Sequence, residues 1–245
     1  MPATAYKEPL YYEIAFGFVN SKKQCDLFEK YIEKYSRTKV NKVLDIGCGP
    51  SLQLRELAER GYDAIGLDNS SQMLRYLREQ DQRIKTVKAD MNKFILPQKV
   101  DFAFNMMGTI SYCDLLPHLD SLARSLNKGG LYLIENFRLD WSDNLFKPQS
   151  WTMKQDGIKV KTSYSISVQD YLNQLLDERM EMQVDDHGQI KTLNERTTTK
   201  MIFPQELLGL IKQNGKFEFI DWFERDKIKK LTKASNENVI LLRRK

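Results

Sequence analysis

Gly47 and Gly49 flank Cys48 in the run Val43-Leu44-Asp45-Ile46-Gly47-Cys48-Gly49-Pro50, and Asp68 follows nineteen residues after Gly49. Glycines let a backbone approach a ligand closely, and a helix starting at such a turn offers N–H groups without intrahelical partners. A carboxylate at the tip of the next strand can accept two hydrogen bonds from a cis-diol such as a ribose. Together they point to a ligand that carries a nucleoside. A nicotinamide dinucleotide would call for a third glycine at position 52, where the chain has Leu52. A turn needing glycine for its backbone alone is the simpler reading, but the flanking Asp45 and the downstream Asp68 favour a ligand.

Other catalytic chemistry finds little purchase. His118 lies beside Pro117 within a helical stretch, and His187 sits in an Asp186-His187-Gly188 turn, so neither is read as a catalyst. The chain has no Cys/His cluster at metal-ligand spacing, no Gly-x-Ser-x-Gly elbow and no P-loop. No metal is expected, and no catalytic residue is identified.

The elements that must hold these residues alternate. Apolar strands at 42–46, 63–68, 84–89, 100–106 and 131–135 are separated by helices at 51–60, 71–79 and 112–127, with Gly129-Gly130 stopping the last. A helix from Ser21 precedes them, on the stripe Leu27, Phe28, Tyr31, Ile32 and Tyr35. The rhythm implies a parallel sheet covered on both faces. It breaks at Ile158–Val168, where apolar or β-branched residues fall on even positions, the period of a half-buried antiparallel strand. Met180, Met182 and Val184 repeat it, and 190–203 adds another β-like stretch before a helix at 204–213 and strands at 217–223 and 238–243. The expected organisation is a core of 1–139 and 204–245, with an inserted β lid at 140–203. Ligands bind outside the carboxyl ends of strands in such sheets, and the insertion leaves at that edge.

Asp45-Ile46-Gly47-Cys48-Gly49 resembles the first motif of the class I S-adenosylmethionine-dependent methyltransferases. Pro50-Ser51 stand where that family more often has Thr-Gly, an unusual helix entry. The resemblance implies an α/β, Rossmann-like, seven-stranded doubly wound sheet and S-adenosyl-L-methionine as cofactor. It places Asp45, Gly47, Cys48 and Gly49 at the amino-acid half of the cofactor and Asp68 on the ribose. Asn69, Met73, Asp90 and Met91 fall around the adenine. Asn105 and Met106 end the fourth strand, where the family lines the gap between methyl donor and acceptor. Tyr11 and Tyr12 resemble N-terminal tyrosines that cover the cofactor in members acting on small molecules. Glu135, Asn136 and Arg138 end the fifth strand and Trp151, Tyr164 and Tyr171 begin the insertion, making these six the acceptor candidates. No Asn-Pro-Pro-Tyr run follows the fourth strand, which argues against nucleobase or glutamine nitrogens as acceptors.

A chain of 245 residues with net charge +5 can bury one core plus a lid, and its Lys and Arg are scattered as on a solvated surface rather than a nucleic-acid groove. Three widely spaced cysteines suit a reducing cytoplasm, and no apolar run reaches membrane-spanning length. The resulting expectation is a cytoplasmic S-adenosylmethionine-dependent methyltransferase that modifies an N- or O-nucleophile on a small molecule. An RNA or protein methyltransferase, or a non-catalytic S-adenosylmethionine-binding protein, is the alternative. A protruding β insertion can also pair across a two-fold axis, which admits a homodimer.

Overall fold

The computed structural model describes residues 4–245; residues 1–3, counted with the core above, lie outside the described residues. The described residues divide into two compact units, 21–140 with 202–245, and 4–20 with 141–201. In the larger unit, helix α2 (Ser21–Tyr35) leads into β1 (Lys42–Ile46), α3 (Leu52–Glu59), β2 (Asp63–Asp68), α4 (Ser71–Gln80), β3 (Lys85–Lys88) and β4 (Val100–Asn105). Helix α5 (Leu115–Ser125), β5 (Leu126–Glu135), α6 (Pro204–Asn214), β10 (Phe217–Glu224) and β11 (Asn238–Arg244) complete it. The smaller unit holds α1 (Pro9–Ala15) and β6 (Gln149–Gln155), β7 (Ile158–Asp170), β8 (Leu175–Asp186) and β9 (Gln189–Lys200).

All seven expected core strands form, in the order β10-β11-β5-β4-β1-β2-β3. Successive β1 residues serve opposite faces: Leu44 and Ile46 join one apolar cluster, Val43 the other. Both clusters are closed by helices, which bury the stripes the sequence predicts, such as Leu54, Leu57 and Ala58 on α3. The sheet is mixed rather than wholly parallel, because β11 runs antiparallel to both β5 and β10. The physical reason is the connection. No helix carries the chain from β10 to β11, and a strand returning without a crossover must run back antiparallel.

Two boundaries also move. The helix expected over 112–127 is α5 preceded by a separate 3-10 turn at Thr109–Tyr112, because Cys113 and Asp114 are extended and break the run. Strand β5 begins at Leu126, so Gly129-Gly130 lie within it instead of ending the helix. Gly129 takes φ +82°, with a positive-φ kink that the strand absorbs.

In the smaller unit the even residues of β7 face inward: Ile158, Val160, Thr162 and Ile166 are buried. Ile158 and Val160 pack with Met180, Met182, Val184 and Leu193, α1 adds Tyr11, Ile14 and Ala15 to the same cluster, and Ile166 packs with Leu176 and Met201 in another. Residues 4–20 therefore belong with this sheet, whereas the sequence reading placed them in the core. Two hairpins close on two-residue loops, Asp156-Gly157 and His187-Gly188, with all four residues at positive φ as the twist of such turns demands. Strand β6 was not anticipated. Among the described residues no helix is long and apolar enough to cross a membrane.

Candidate functional site

The glycine turn leaves β1 with Gly47 at φ +70° and Gly49 at φ +51°. The Gly47 and Cys48 amides donate to the Leu67 carbonyl at 2.8 and 3.0 Å, which welds the turn to the end of β2. A methyl group added at Gly47 would stand 2.6 Å from Thr109 Cγ2 and 3.4 Å from Met91 Cε, so glycine is required here for both conformation and room. Cys48 packs inward: a methyl on Gly66 of β2 would stand 2.9 Å from its sulfur, so that glycine accommodates the thiol.

Asp68 already reaches the turn. One carboxylate oxygen accepts the Gly49 amide at 2.9 Å and the other the Ser70 amide at 2.8 Å. Burial pushes its carboxyl up, and those amide donors pull it back. The helix-capping role belongs to Ser70, whose hydroxyl accepts the Met73 amide at 3.3 Å, which leaves Asp68 at the edge.

The unusual helix entry has a local explanation. Ser51 is left-handed at φ +33°, donates its hydroxyl to Asp45 Oδ2 at 2.6 Å, and accepts the Leu54 amide at 3.1 Å. One side chain thus caps α3 and holds the carboxyl beneath the turn. Asp45 is buried, and desolvation raises its pKa to about 7, against the Ser51 hydrogen bond and with help from the Asp68 charge.

Neighbouring strand ends complete the edge. Asn105 closes β4 fully buried; its Nδ2 donates to the Ile46 carbonyl at 2.7 Å, while its Oδ1 has no partner. Met106 is buried in the same cluster as Cys48. His118 is fully buried on α5 and bridges Met91 O at 3.0 Å and the Tyr132 hydroxyl at 2.8 Å. A carbonyl only accepts, so Nδ1 carries the proton and Nε2 accepts from tyrosine. Burial lowers the His118 pKa to about 4, so the ring stays neutral and serves to anchor Met91.

The sequence-predicted residues divide accordingly. The larger unit gathers Asp45, Gly47, Cys48, Gly49, Asp68, Met91, Asn105 and Met106 along the carboxyl ends of its strands. Met73 is buried on α4, while Asn69 and Asp90 are exposed on loops nearby. Glu135 is buried at the end of β5, Asn136 follows at φ +57°, and Arg138 is half-buried. The five aromatic candidates all lie in the smaller unit. Tyr11 is buried, donates to Asp186 at 2.7 Å and receives Lys191 at 3.2 Å. Tyr12 packs between Tyr6 and Phe16, and Trp151 donates to the Ala15 carbonyl at 2.7 Å. Tyr164 donates to Glu178, and Tyr171 is 78% exposed at the β7–β8 loop. Sequence reasoning gave no role to Ser51 or Thr109, and it did not foresee that His118 anchors Met91. Only Ser51 carried a local signal, as a polar residue three places before Leu54.

The chain is similar to known proteins in sequence and in fold. Residues 43–130 match the family model described as a methyltransferase domain. Over 137 residues the chain is 30% identical to a trans-aconitate 2-methyltransferase of Rhodopseudomonas palustris (strain HaA2), covering 55% of this chain and 52% of that one. It is 33% identical over 91 residues to a malonyl-[acyl-carrier protein] O-methyltransferase of Pectobacterium atrosepticum, covering 36% of each. The chain spans about half the length, or less, of these curated relatives. An S-adenosylmethionine-dependent methyltransferase from Clostridium acetobutylicum superposes with TM-score 0.77 at 18% identity over 96% of both chains. A SAM-bound amino pentose methyltransferase from Micromonospora echinaspora gives 0.75 at 16% identity, also over 96% of both. At such identities the likeness is one of fold. Residues 43–130 match a methyltransferase domain, and the chain has the fold of the S-adenosylmethionine-dependent methyltransferases on which it superposes.

Proposed function

We propose that the chain binds S-adenosylmethionine at the carboxyl edge of its larger sheet and transfers the methyl group to an N- or O-nucleophile of a small molecule. One observation carries the reading: the Asp68 carboxylate meets the Gly49 amide at 2.9 Å, so the ribose-holding and backbone-approach elements form one continuous edge. The edge fits the cofactor. Gly47 leaves open a place that a methyl would fill against Thr109 and Met91. Asp68, with one amide on each oxygen, keeps acceptor capacity for a diol. The partnerless Asn105 Oδ1 adds an acceptor at the next strand end.

When bound, the sulfonium supplies a methyl already activated for in-line displacement. The chain's contribution is positional: the glycine turn brings backbone close, Asp68 orients the sugar, and His118 keeps Met91 beside Gly47. An amine with a free lone pair attacks unaided, so for such an acceptor a general base is optional. The small-molecule acceptor rests on the acceptors named for the relatives, which are small acids, a carrier-bound acid and an amino sugar.

Isothermal titration with S-adenosylmethionine tests this. Asp68→Ala is expected to lose about 1.5–3 kcal/mol of binding free energy, the range for hydrogen bonds to a charged group. Unchanged affinity removes Asp68 from the site, and absence of binding by the wild-type chain defeats the reading. Turnover of labelled cofactor against a metabolite mixture then identifies the acceptor.

A further inference from the structure

Glu135 ends β5 only 3% exposed, where an ionised carboxylate left without partners would be costly. Both its oxygens are engaged. Oε1 accepts from Gln24 Nε2 at 3.0 Å, and Oε2 accepts the Met107 amide at 3.1 Å. Its backbone carbonyl accepts the next amide, Gly108, also at 3.1 Å. One residue thus takes two successive N–H groups of the turn that follows β4.

That turn needs holding. Met107 stands at φ +55° and Gly108 at φ +70°, and a left-handed methionine persists only where its surroundings dictate it. Two residues on from Met107, the Thr109 methyl occupies the space beside Gly47. From its other oxygen Glu135 reaches back toward the same place. Gln24 accepts from Gln53 Nε2 at 2.7 Å, and Gln53 lies in the first turn of α3, the helix that leaves the glycine turn. The contacts close a ring: glycine turn, Gln53, Gln24, Glu135, the 106–109 turn, Thr109, and the glycine turn again. A carboxylate only accepts, so its charge also sets the direction of the ring by requiring Gln24 to present its amide nitrogen to Glu135 and its oxygen to Gln53.

We propose that Glu135 is a positioning residue for methyl transfer, holding the 106–109 turn against the glycine turn through this ring of contacts. The residue was expected to touch the acceptor; its burial and full engagement assign it instead to the backbone beside the reacting groups. The proposal rests on the cofactor reading of the glycine turn.

The test uses the full chain and two readouts, amide hydrogen exchange without ligand and isothermal titration with S-adenosylmethionine. In Glu135→Ala, exchange at Met107, whose side-chain acceptor is lost, is expected to quicken roughly tenfold, the equivalent of one hydrogen bond to a charged group, while Gly108, held by the main-chain carbonyl that alanine keeps, changes less and β1 and β2 amides keep their protection. Affinity for S-adenosylmethionine should fall by about the same factor. Glu135→Gln retains an oxygen for Met107 and should restore its protection to within about threefold, while its amide nitrogen forces Gln24 to turn away from Gln53. Exchange that is unchanged at Met107, or raised equally across β1 and β2, overturns the proposal, because the role is then absent or merely one of global stability. If Glu135→Ala does not fold, Glu135→Asp, one methylene too short to reach Met107, carries the same expectations. A wild-type chain that binds no S-adenosylmethionine defeats the cofactor reading, while the exchange data still decide whether Glu135 holds the turn.

Discussion

The two units use the same backbone device for opposite ends. In the smaller unit, left-handed residues sit at strand tips: Asp156-Gly157, Gln174 and His187-Gly188 reverse the chain, and the ladders run on either side with one register shift, between Val168 and Asp170. In the larger unit, Gly47, Gly49, Ser51, Met107, Gly108 and Asn136 collect where strands stop and helices or irregular segments begin. There the strain is held by side chains from elsewhere, Asp68 on Gly49, Asp45 on Ser51 and Glu135 on Met107. A positive φ supported only by its own hairpin closes a sheet. Supported from three strand ends, it shapes an edge that a ligand can approach.

The sharpest way to break this contrast is to put a methyl where each unit uses glycine. Gly47→Ala combines a left-handed alanine with a 2.6 Å clash against Thr109, and is expected to cost about 2–4 kcal/mol in chemical denaturation. Binding of S-adenosylmethionine should disappear with it. A loss below about 1 kcal/mol would mean that the turn is looser than its contacts imply.

Next in size is the buried carboxyl beneath the turn. Asp45 holds its proton to about pH 7 in the folded chain, against an ordinary value of 3.8. Between those values the folded state binds more proton than the unfolded state, so this group makes the protein less stable as pH rises. Asp45→Asn removes the effect. Its unfolding free energy relative to wild type should climb from pH 4 to pH 7 by on the order of a few kcal/mol, and a flat difference across that window would contradict the assignment.

The matched change in the smaller unit is milder. Gly157→Ala is strained at φ +81°, but the atom it meets, His187 Nε2 at 2.8 Å, belongs to an exposed side chain that can swing aside. A loss of about 1–2 kcal/mol is expected, with affinity for S-adenosylmethionine unchanged in titration. The smallest effect should come from Leu172→Ser at the β7–β8 loop. Leu172 is 96% exposed, so the thermal midpoint should move by no more than about 0.5 kcal/mol implies, and a larger shift would show that this tip is covered.

What the sequence disclosed follows the range of the interactions concerned. The core strands and the glycine turn announce themselves within a few residues, by apolar runs, by Gly47 and Gly49, and by Asp68 nineteen places on. Strand β6 was hidden because it lies at a sheet edge with only Trp151 and Met153 half-buried, too weak an alternation to notice. The Asp156-Gly157 pair after it was the available signal. Long-range partnerships left no trace at all. Nothing near Tyr11 foretells Asp186, 175 residues away, and nothing near Gln24 foretells Glu135 across 111 residues. The resemblance set Tyr11 and Tyr12 over the cofactor, and the structure shows Tyr11 within the core of the smaller sheet with Tyr12 packed against it. His118 was read as an unlikely catalyst on its helical setting alone, and its sealed, neutral ring agrees.

The chain's two imidazoles fall one to each unit: His118 sealed in the larger, His187 at a solvent-facing hairpin tip of the smaller. Their ring protons are therefore natural spectroscopic labels. A single one-dimensional magnetic-resonance series in rising denaturant would record each unit's melting separately, with no tag or mutation introduced.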